Sequence, residues 1–320
     1  MIVPTLNQLR AAADLVHSVL APTPQIRWPL LCQRTGSDVW VKHENHLPVG
    51  AFKVRGGLVY LDELRKRQPD VTGVISATRG NHGQSIAFAA GRAGLRAVIV
   101  VPRLNSREKN AAMQALGAEL VVHGNDFQDA YEYASELAEK EKLHFVDSFA
   151  EPLVRGVASY ALELFDGVAE LDAVYVPIGM GSGVCAVTAT RDALGLRTEV
   201  IGVCAAGAPA IALSFKAGQP IATESVSTMA DGMACRVPDP RALEVILNGV
   251  ARIVTVTDHE ITTAIRYLFA DTHNVAEGAG AAPLAALLQE KRAMQGRRVA
   301  LILTGANIDS DLFASTLSAS

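Results

Sequence analysis

Lys53 sits in Gly50-Ala51-Phe52-Lys53-Val54-Arg55-Gly56, between small or apolar residues and the start of a helix-like run. Desolvation disfavours an ammonium, so a lysine held there gives up its proton more easily. Its amine then becomes a nucleophile or base, able to form an imine with an aldehyde. Most lysines in such runs are solvated surface charges, and three further segments give this one its meaning. Gly179-Met180-Gly181-Ser182-Gly183 follows an apolar strand-like run and opens a helix-like one at 184–194. Its glycines let backbone N–H groups converge on one anion at a helix N-terminus, which makes a phosphate cradle; a plain tight turn is the alternative. Ser76-Ala77-Thr78-Arg79-Gly80-Asn81-His82-Gly83-Gln84 also joins a strand to a helix. Its side chains and amides suit a carboxylate such as that of an amino acid, or equally a helix cap with a polar turn. Thr304, in Thr304-Gly305-Ala306-Asn307, ends a third apolar run, where a hydroxyl often simply bonds the local backbone.

Other chemistries fit less well. A dinucleotide fingerprint would need glycine at 184, where valine stands, and an acidic residue closing the next strand, where Cys204 stands and Glu199 comes too early. His43, Glu44 and His46 suggest a metal, but a strand over this segment would point the two histidines to opposite faces. Surface polarity is the better reading, and no metal site is expected. The four cysteines, Cys32, Cys185, Cys204 and Cys235, are widely spaced without a C-x-x-C pair, as expected of buried thiols in a reducing cytoplasm.

The elements that must position these groups read as α/β. Apolar runs at 74–76, 97–101, 120–122 and 145–146 alternate with helix-like stretches near 82–93, 105–115 and 126–141. A second set of runs falls at 174–176, 200–203 and 299–303. Strand, crossover helix and strand units of this kind make doubly wound sheets, whose ligands sit beyond the carboxyl ends of the strands. A chain of 320 residues suits one large or two moderate domains. Its formal charge of −4, without a basic stripe, implies neither nucleic acid nor an anionic membrane as partner. Residues 1–23 carry Arg10 and Asp14 through their apolar positions, so neither a secretory signal nor a membrane span is expected.

Taken in order, the four segments resemble the fold-type II pyridoxal-phosphate enzymes, specifically the serine/threonine dehydratase and serine racemase family. Lys42, Glu44, the Phe149, Glu151, Pro152 cluster, Ala230-Asp231-Gly232 and Glu277-Gly278-Ala279-Gly280 extend the likeness through nearly the whole chain. The resemblance implies two doubly wound domains with the cofactor in the cleft between them. Residues 1–71 and 149–320 would form the large domain and 72–148 the small one, without the regulatory domain of biosynthetic threonine deaminases. A homodimer is left open.

Pyridoxal 5'-phosphate would be carried by Lys53, with its phosphate at Gly179, Met180, Gly181 and Ser182. Asn81 would contact its phenolic oxygen, Thr304 would meet its pyridine nitrogen, and Glu277 would line its pocket. A hydroxyl at the ring nitrogen makes a moderate electron sink, which favours prompt elimination. Thr78, Arg79, Gly80, His82 and Phe149 would form the substrate side, His82 mainly as loop packing. Two departures from the family stand out. Arg79 replaces the serine that racemases use as a second acid/base, so racemisation by that route is not expected. Residues 204–210 lack the carboxylates with which some relatives bind a divalent cation. The implied activity is that of a lyase, a dehydratase (ammonia-lyase) of 3-hydroxy L-amino acids. The family default is threonine or serine. Arg79 could instead pair the second carboxylate of 3-hydroxyaspartate, lie against the ring of 3-phenylserine, or point to solvent. Rival readings are a β-replacement synthase of the same fold and a non-catalytic metabolite-binding protein.

Overall fold

The computed structural model describes residues 4–318. Ten strands lie among them: β1 Gln25–Arg27, β2 Asp38–His43, β3 Gly73–Ala77, β4 Arg96–Val101, β5 Glu119–Val122, β6 His144–Phe145, β7 Ala173–Pro177, β8 Glu199–Ala205, β9 Arg252–Val256 and β10 Arg298–Leu303. They form a six-stranded sheet in the order β1-β2-β10-β7-β8-β9 and a four-stranded sheet in the order β5-β4-β3-β6. Every pairing is parallel except that of β1 with β2.

Both sheets are covered on both faces, which is why their central strands are unbroken apolar runs. In β7, Val174 and Val176 enter one core while Ala173 and Tyr175 enter the other. In β3, Val74 and Ile75 divide in the same way between the two cores of the smaller sheet. The apolar runs read from the sequence coincide with β3 to β8 and β10; β1, β2 and β9 were not legible as strands in their own right.

Residues 43–46 differ from expectation: His43 and Glu44 are fully buried rather than at the surface, where only His46 lies. The chain leaves β2 at His43 and enters a 3-10 turn over Glu44–His46, so the two histidines do not diverge. Their rings stack with centroids 5.0 Å apart. His43 Nε2 accepts from the Trp28 indole at 2.9 Å, and His46 Nε2 meets Asn274 at 2.7 Å.

The helix Lys53–Arg67 begins with Lys53 and packs closely on the helix Glu151–Gly167 through glycine. A Cβ at Gly156 would stand 2.3 Å from the Arg55 carbonyl oxygen, a distance no side chain tolerates. The same pair is tied by charge. Arg55, wholly buried, donates to Glu44 at 2.7 and 3.0 Å and to Glu163 at 2.6 and 3.0 Å. Lys42 donates to Glu163 at 2.5 Å. The start of this helix is also pinned to the end of β10. Phe52 N–H donates to the Thr304 carbonyl at 3.0 Å, and Ala306 N–H donates to that of Gly50 at 2.9 Å.

Candidate active site

These attachments bring Lys53 and Thr304 to one cavity of about 410 Å³, within the size range of small-molecule sites. Lys53 is partly buried and lines this cavity. Burial lowers its amine to about 8, and Nζ donates to Ser182 Oγ at 2.8 Å. The Ser85 hydroxyl fixes the Lys53 carbonyl at 2.6 Å.

Ser182 opens the helix Ser182–Ala193, directly after the loop that follows β7. No side chain caps this helix, and its first turn has no acidic residue, so its leading N–H groups remain available to an anion. Gly181 has φ +99°, which other residues rarely adopt. At Gly179 a Cβ would lie 2.1 Å from the Gly232 carbonyl oxygen. Gly179, Met180, Gly181 and Ser182 all line the cavity.

The loop after β3 supplies Thr78, Arg79, Gly80, Asn81 and His82 to the same space. Thr78 Oγ1 accepts from the N–H groups of Gly80 and Gly83 at 2.9 and 3.2 Å, so this hydroxyl shapes the turn that presents the others. Asn81 donates to Glu277 at 2.6 Å and accepts from Asn307 at 2.8 Å. His82 makes no hydrogen bond through either ring nitrogen. Burial, with the nearby Lys53, depresses it to about 3. The imidazole is therefore neutral near neutral pH. Arg79 pairs with Asp231 at 2.9 Å, so its charge is matched within the protein; its Nε is a buried donor with no partner.

Phe149 is the exception among the expected residues. It is 1 % exposed and lies in the hydrophobic core beneath the Arg241 guanidinium, 5.4 Å from the ring centroid, and does not line the cavity. An apolar ring beside the helix Glu151–Gly167 gains more from the core than from a polar cleft.

Several residues of the site carried no signal in the sequence. Lys109, in an amphipathic surface-like segment, is 7 % exposed and reaches Asp231 at 3.3 Å and Glu277 at 3.6 Å. Asp231 thus holds two cations, a pairing that spacing along the chain cannot reveal. Burial raises the Glu277 carboxyl, opposed by Lys109 and Asn81. Asn307 belonged to a recognised motif, but its bond to Asn81 did not follow from it. The described residues contain no group of three or more His, Cys, Asp or Glu placed to hold a metal, and no helix among them is long and apolar enough to cross a membrane.

The fit to a phosphorylated aldehyde can be tested on the chain alone. A desolvated amine stands at one wall. A glycine cradle with free helix N–H groups adjoins it, and the Thr304 hydroxyl, 3 % exposed as a residue, has no partner of its own. An orphaned buried hydroxyl is costly unless a ligand atom meets it. The site therefore fits pyridoxal phosphate: Lys53 for the aldehyde, the Gly179–Ser182 segment for the phosphate, and Thr304 for the ring nitrogen.

This is the architecture of an α/β enzyme built around a cofactor in a cleft beside its glycine loop. Residues 16–305 match the family described as pyridoxal-phosphate dependent enzyme, and the chain belongs to that family. It is 32% identical over 312 residues to L-threonine ammonia-lyase of Thermotoga maritima, covering 96% of this chain and 77% of that protein. It is 32% identical over 297 residues to the biosynthetic L-threonine dehydratase of Pasteurella multocida, covering 92% of this chain and 58% of the relative. Among solved structures, the processed form of threonine deaminase isoform 2 from Solanum lycopersicum superposes with a TM-score of 0.90 at 28% identity, over 98% of this chain and 92% of that one.

Proposed function

We propose that the protein is a dehydratase of 3-hydroxy L-amino acids, releasing a 2-keto acid and ammonia. The observation that carries this reading is the Lys53 amine, lowered to about 8 and aligned by Ser182 beside an anion cradle. The names of the relatives, threonine ammonia-lyase and threonine dehydratase, support it. Residues 1–71 with 149–320 are taken as the cofactor-holding domain and 72–148 as the small one.

Pyridoxal phosphate, when bound, supplies a conjugated ring that accepts the electron pair left at Cα. The chain does the rest. The loop from Thr78 to His82 holds the α-carboxylate with backbone N–H groups and the Arg79 Nε donor. Lys53 Nζ, as the neutral amine, removes the Cα proton. Ser182 keeps that nitrogen oriented, and neutral His82 adds no competing acid. The β-hydroxyl leaves as water, taking up the proton that Lys53 removed from Cα, and the enamine released tautomerises to an imine whose hydrolysis outside the site gives the 2-keto acid and ammonia. A guanidinium at 79 stays protonated, so this residue does not return the proton from the second face.

Lys53→Ala is expected to abolish both keto-acid formation and the absorbance of the lysine-bound cofactor. Keto acid produced by that variant at near wild-type rate would overturn the assignment. A β-replacement synthase would instead need an added nucleophile before product appeared.

A further inference from the structure

Away from Lys53, the outer part of the cavity carries an apolar patch among the charged and polar residues Asp126, Gln128, Asp147, Arg236 and Asp239. The helix Phe127–Glu141 presents Phe127 and Tyr131, four residues apart on one face, to the cavity that Lys53 shares. Their ring centroids are 6.0 Å apart, and Phe145 backs Tyr131 edge-on at 5.1 Å. From the chain of the larger sheet come Val237, 53 % exposed, and the sulfur pair of Met180 and Cys235, 3.6 Å apart. An exposed valine and two half-buried rings lining one cavity are apolar surface open to a ligand. Aromatic edges and thioethers are good neighbours for another ring.

The cations of the cavity are, in contrast, already matched. Arg79 and Lys109 share Asp231, and Lys109 also meets Glu277. Arg236, also in the lining, faces Asp126 at 3.7 Å, and Arg241, outside the lining, pairs with the lining residue Asp239 at 2.6 Å and faces Asp147 at 3.8 Å. A second carboxylate on the substrate would compete with these acidic partners.

We propose that this outer region is a subsite for a bulky apolar, ring-bearing substituent at Cβ, so that the preferred substrates are 3-aryl-3-hydroxy amino acids of the 3-phenylserine type rather than threonine, serine or 3-hydroxyaspartate. The proposal rests on the dehydratase reading above and narrows its substrate class. Phe127 and Tyr131 are its specificity residues.

The test has two arms on the holoenzyme. The first compares kcat/KM for keto-acid release from L-threo-3-phenylserine, L-threonine, L-serine and L-threo-3-hydroxyaspartate. Phenylserine should lead by on the order of tenfold or more, the scale on which an apolar pocket discriminates. Phe127→Ala should narrow the phenylserine-to-serine ratio by about tenfold, reading kcat/KM as transition-state binding. Val237→Ser, at a half-exposed position that folding tolerates, should narrow it in the same direction. The second arm measures calorimetric binding of L-phenylalanine, L-alanine and L-aspartate, which carry no β-hydroxyl to eliminate; phenylalanine should bind tightest. Threonine, serine or hydroxyaspartate turned over better than phenylserine, or phenylalanine bound no tighter than alanine, would overturn the subsite. Keto acid from none of the four, with phenylalanine still preferred, would overturn the dehydratase reading and leave the subsite standing.

Discussion

Burial lowers the Lys53 amine to about 8 from an ordinary 10.5, because desolvation penalises the ammonium. The direction matters for how the apoprotein takes up its cofactor. Only the neutral amine attacks an aldehyde, and the neutral fraction grows as pH rises through the pKa. Capture of pyridoxal phosphate by the apoprotein should therefore accelerate through about pH 8 and then level off. A stopped-flow absorbance profile between pH 6 and 10 checks this; a rate still climbing steeply at pH 10 would mean that Lys53 behaves as a solvated lysine. At this scale the sequence was informative about residue type and silent about partners. Lys53, Ser182, Asn81 and Thr304 could be picked out because glycine and small polar residues cluster around them at strand ends. The matching of Arg79 by Asp231, 152 positions later, could not be picked out, because a salt bridge between loops leaves no local pattern. Phe149 failed for the opposite reason: its place beside a motif suggested a ligand contact, and its hydrophobicity took it into the core.

At the scale of elements, the position of Lys53 depends on how closely two helices approach. Gly156 faces the Arg55 carbonyl, and Gly56 faces Leu153, with a Cβ there 2.8 Å from the Leu153 oxygen. Gly156→Ala cannot be absorbed by a flexible side chain, since backbone stands in the way. Overpacking of this kind costs about 1–3 kcal/mol, and the helix that shifts is the one that begins with Lys53. The variant should melt a few degrees lower and hold cofactor more weakly; thermal unfolding with and without pyridoxal phosphate measures both. Unchanged melting would mean that the two helices separate freely. Strands buried on both faces were readable as apolar runs, which is why β3, β4, β7, β8 and β10 stood out. Hidden from that pattern were β2, whose Lys42 and His43 are buried by specific partners, and β9, an edge strand with Arg252 and Thr255 among its apolar residues.

The whole molecule is closed by a charge cluster that no single element contains. Glu163, 7 % exposed at its side chain, receives Arg55, Lys42 and His17 at 2.6, 2.5 and 2.7 Å, and the Thr23 N–H at 3.2 Å. These partners come from the helix Leu6–His17, the turn before β1, β2 and the helix Lys53–Arg67, while Glu163 lies beyond the four-stranded sheet in sequence. One carboxylate thus joins the chain before that sheet to the chain after it. Burial alone would raise the carboxyl, but Arg55 and Lys42 overcome this and hold it at about 2. A carboxylate whose folded pKa lies below its ordinary 4.5 stabilises the fold in full above that value. The contribution then fades as pH falls toward about 2. Glu163→Gln keeps the shape but leaves Arg55 and Lys42 with one carboxylate, Glu44, where there were two. Breaking a buried pair in this way costs about 3–5 kcal/mol, far more than an exposed pair would. Denaturant unfolding at pH 7 should show that loss. In acid titrations the variant should also lack the part of the decline between about pH 4.5 and 2 that Glu163 supplies in the wild type. Equal stability at pH 7, or superimposable acid limbs, would mean that the cluster is solvated and that packing alone joins the two ends of the chain.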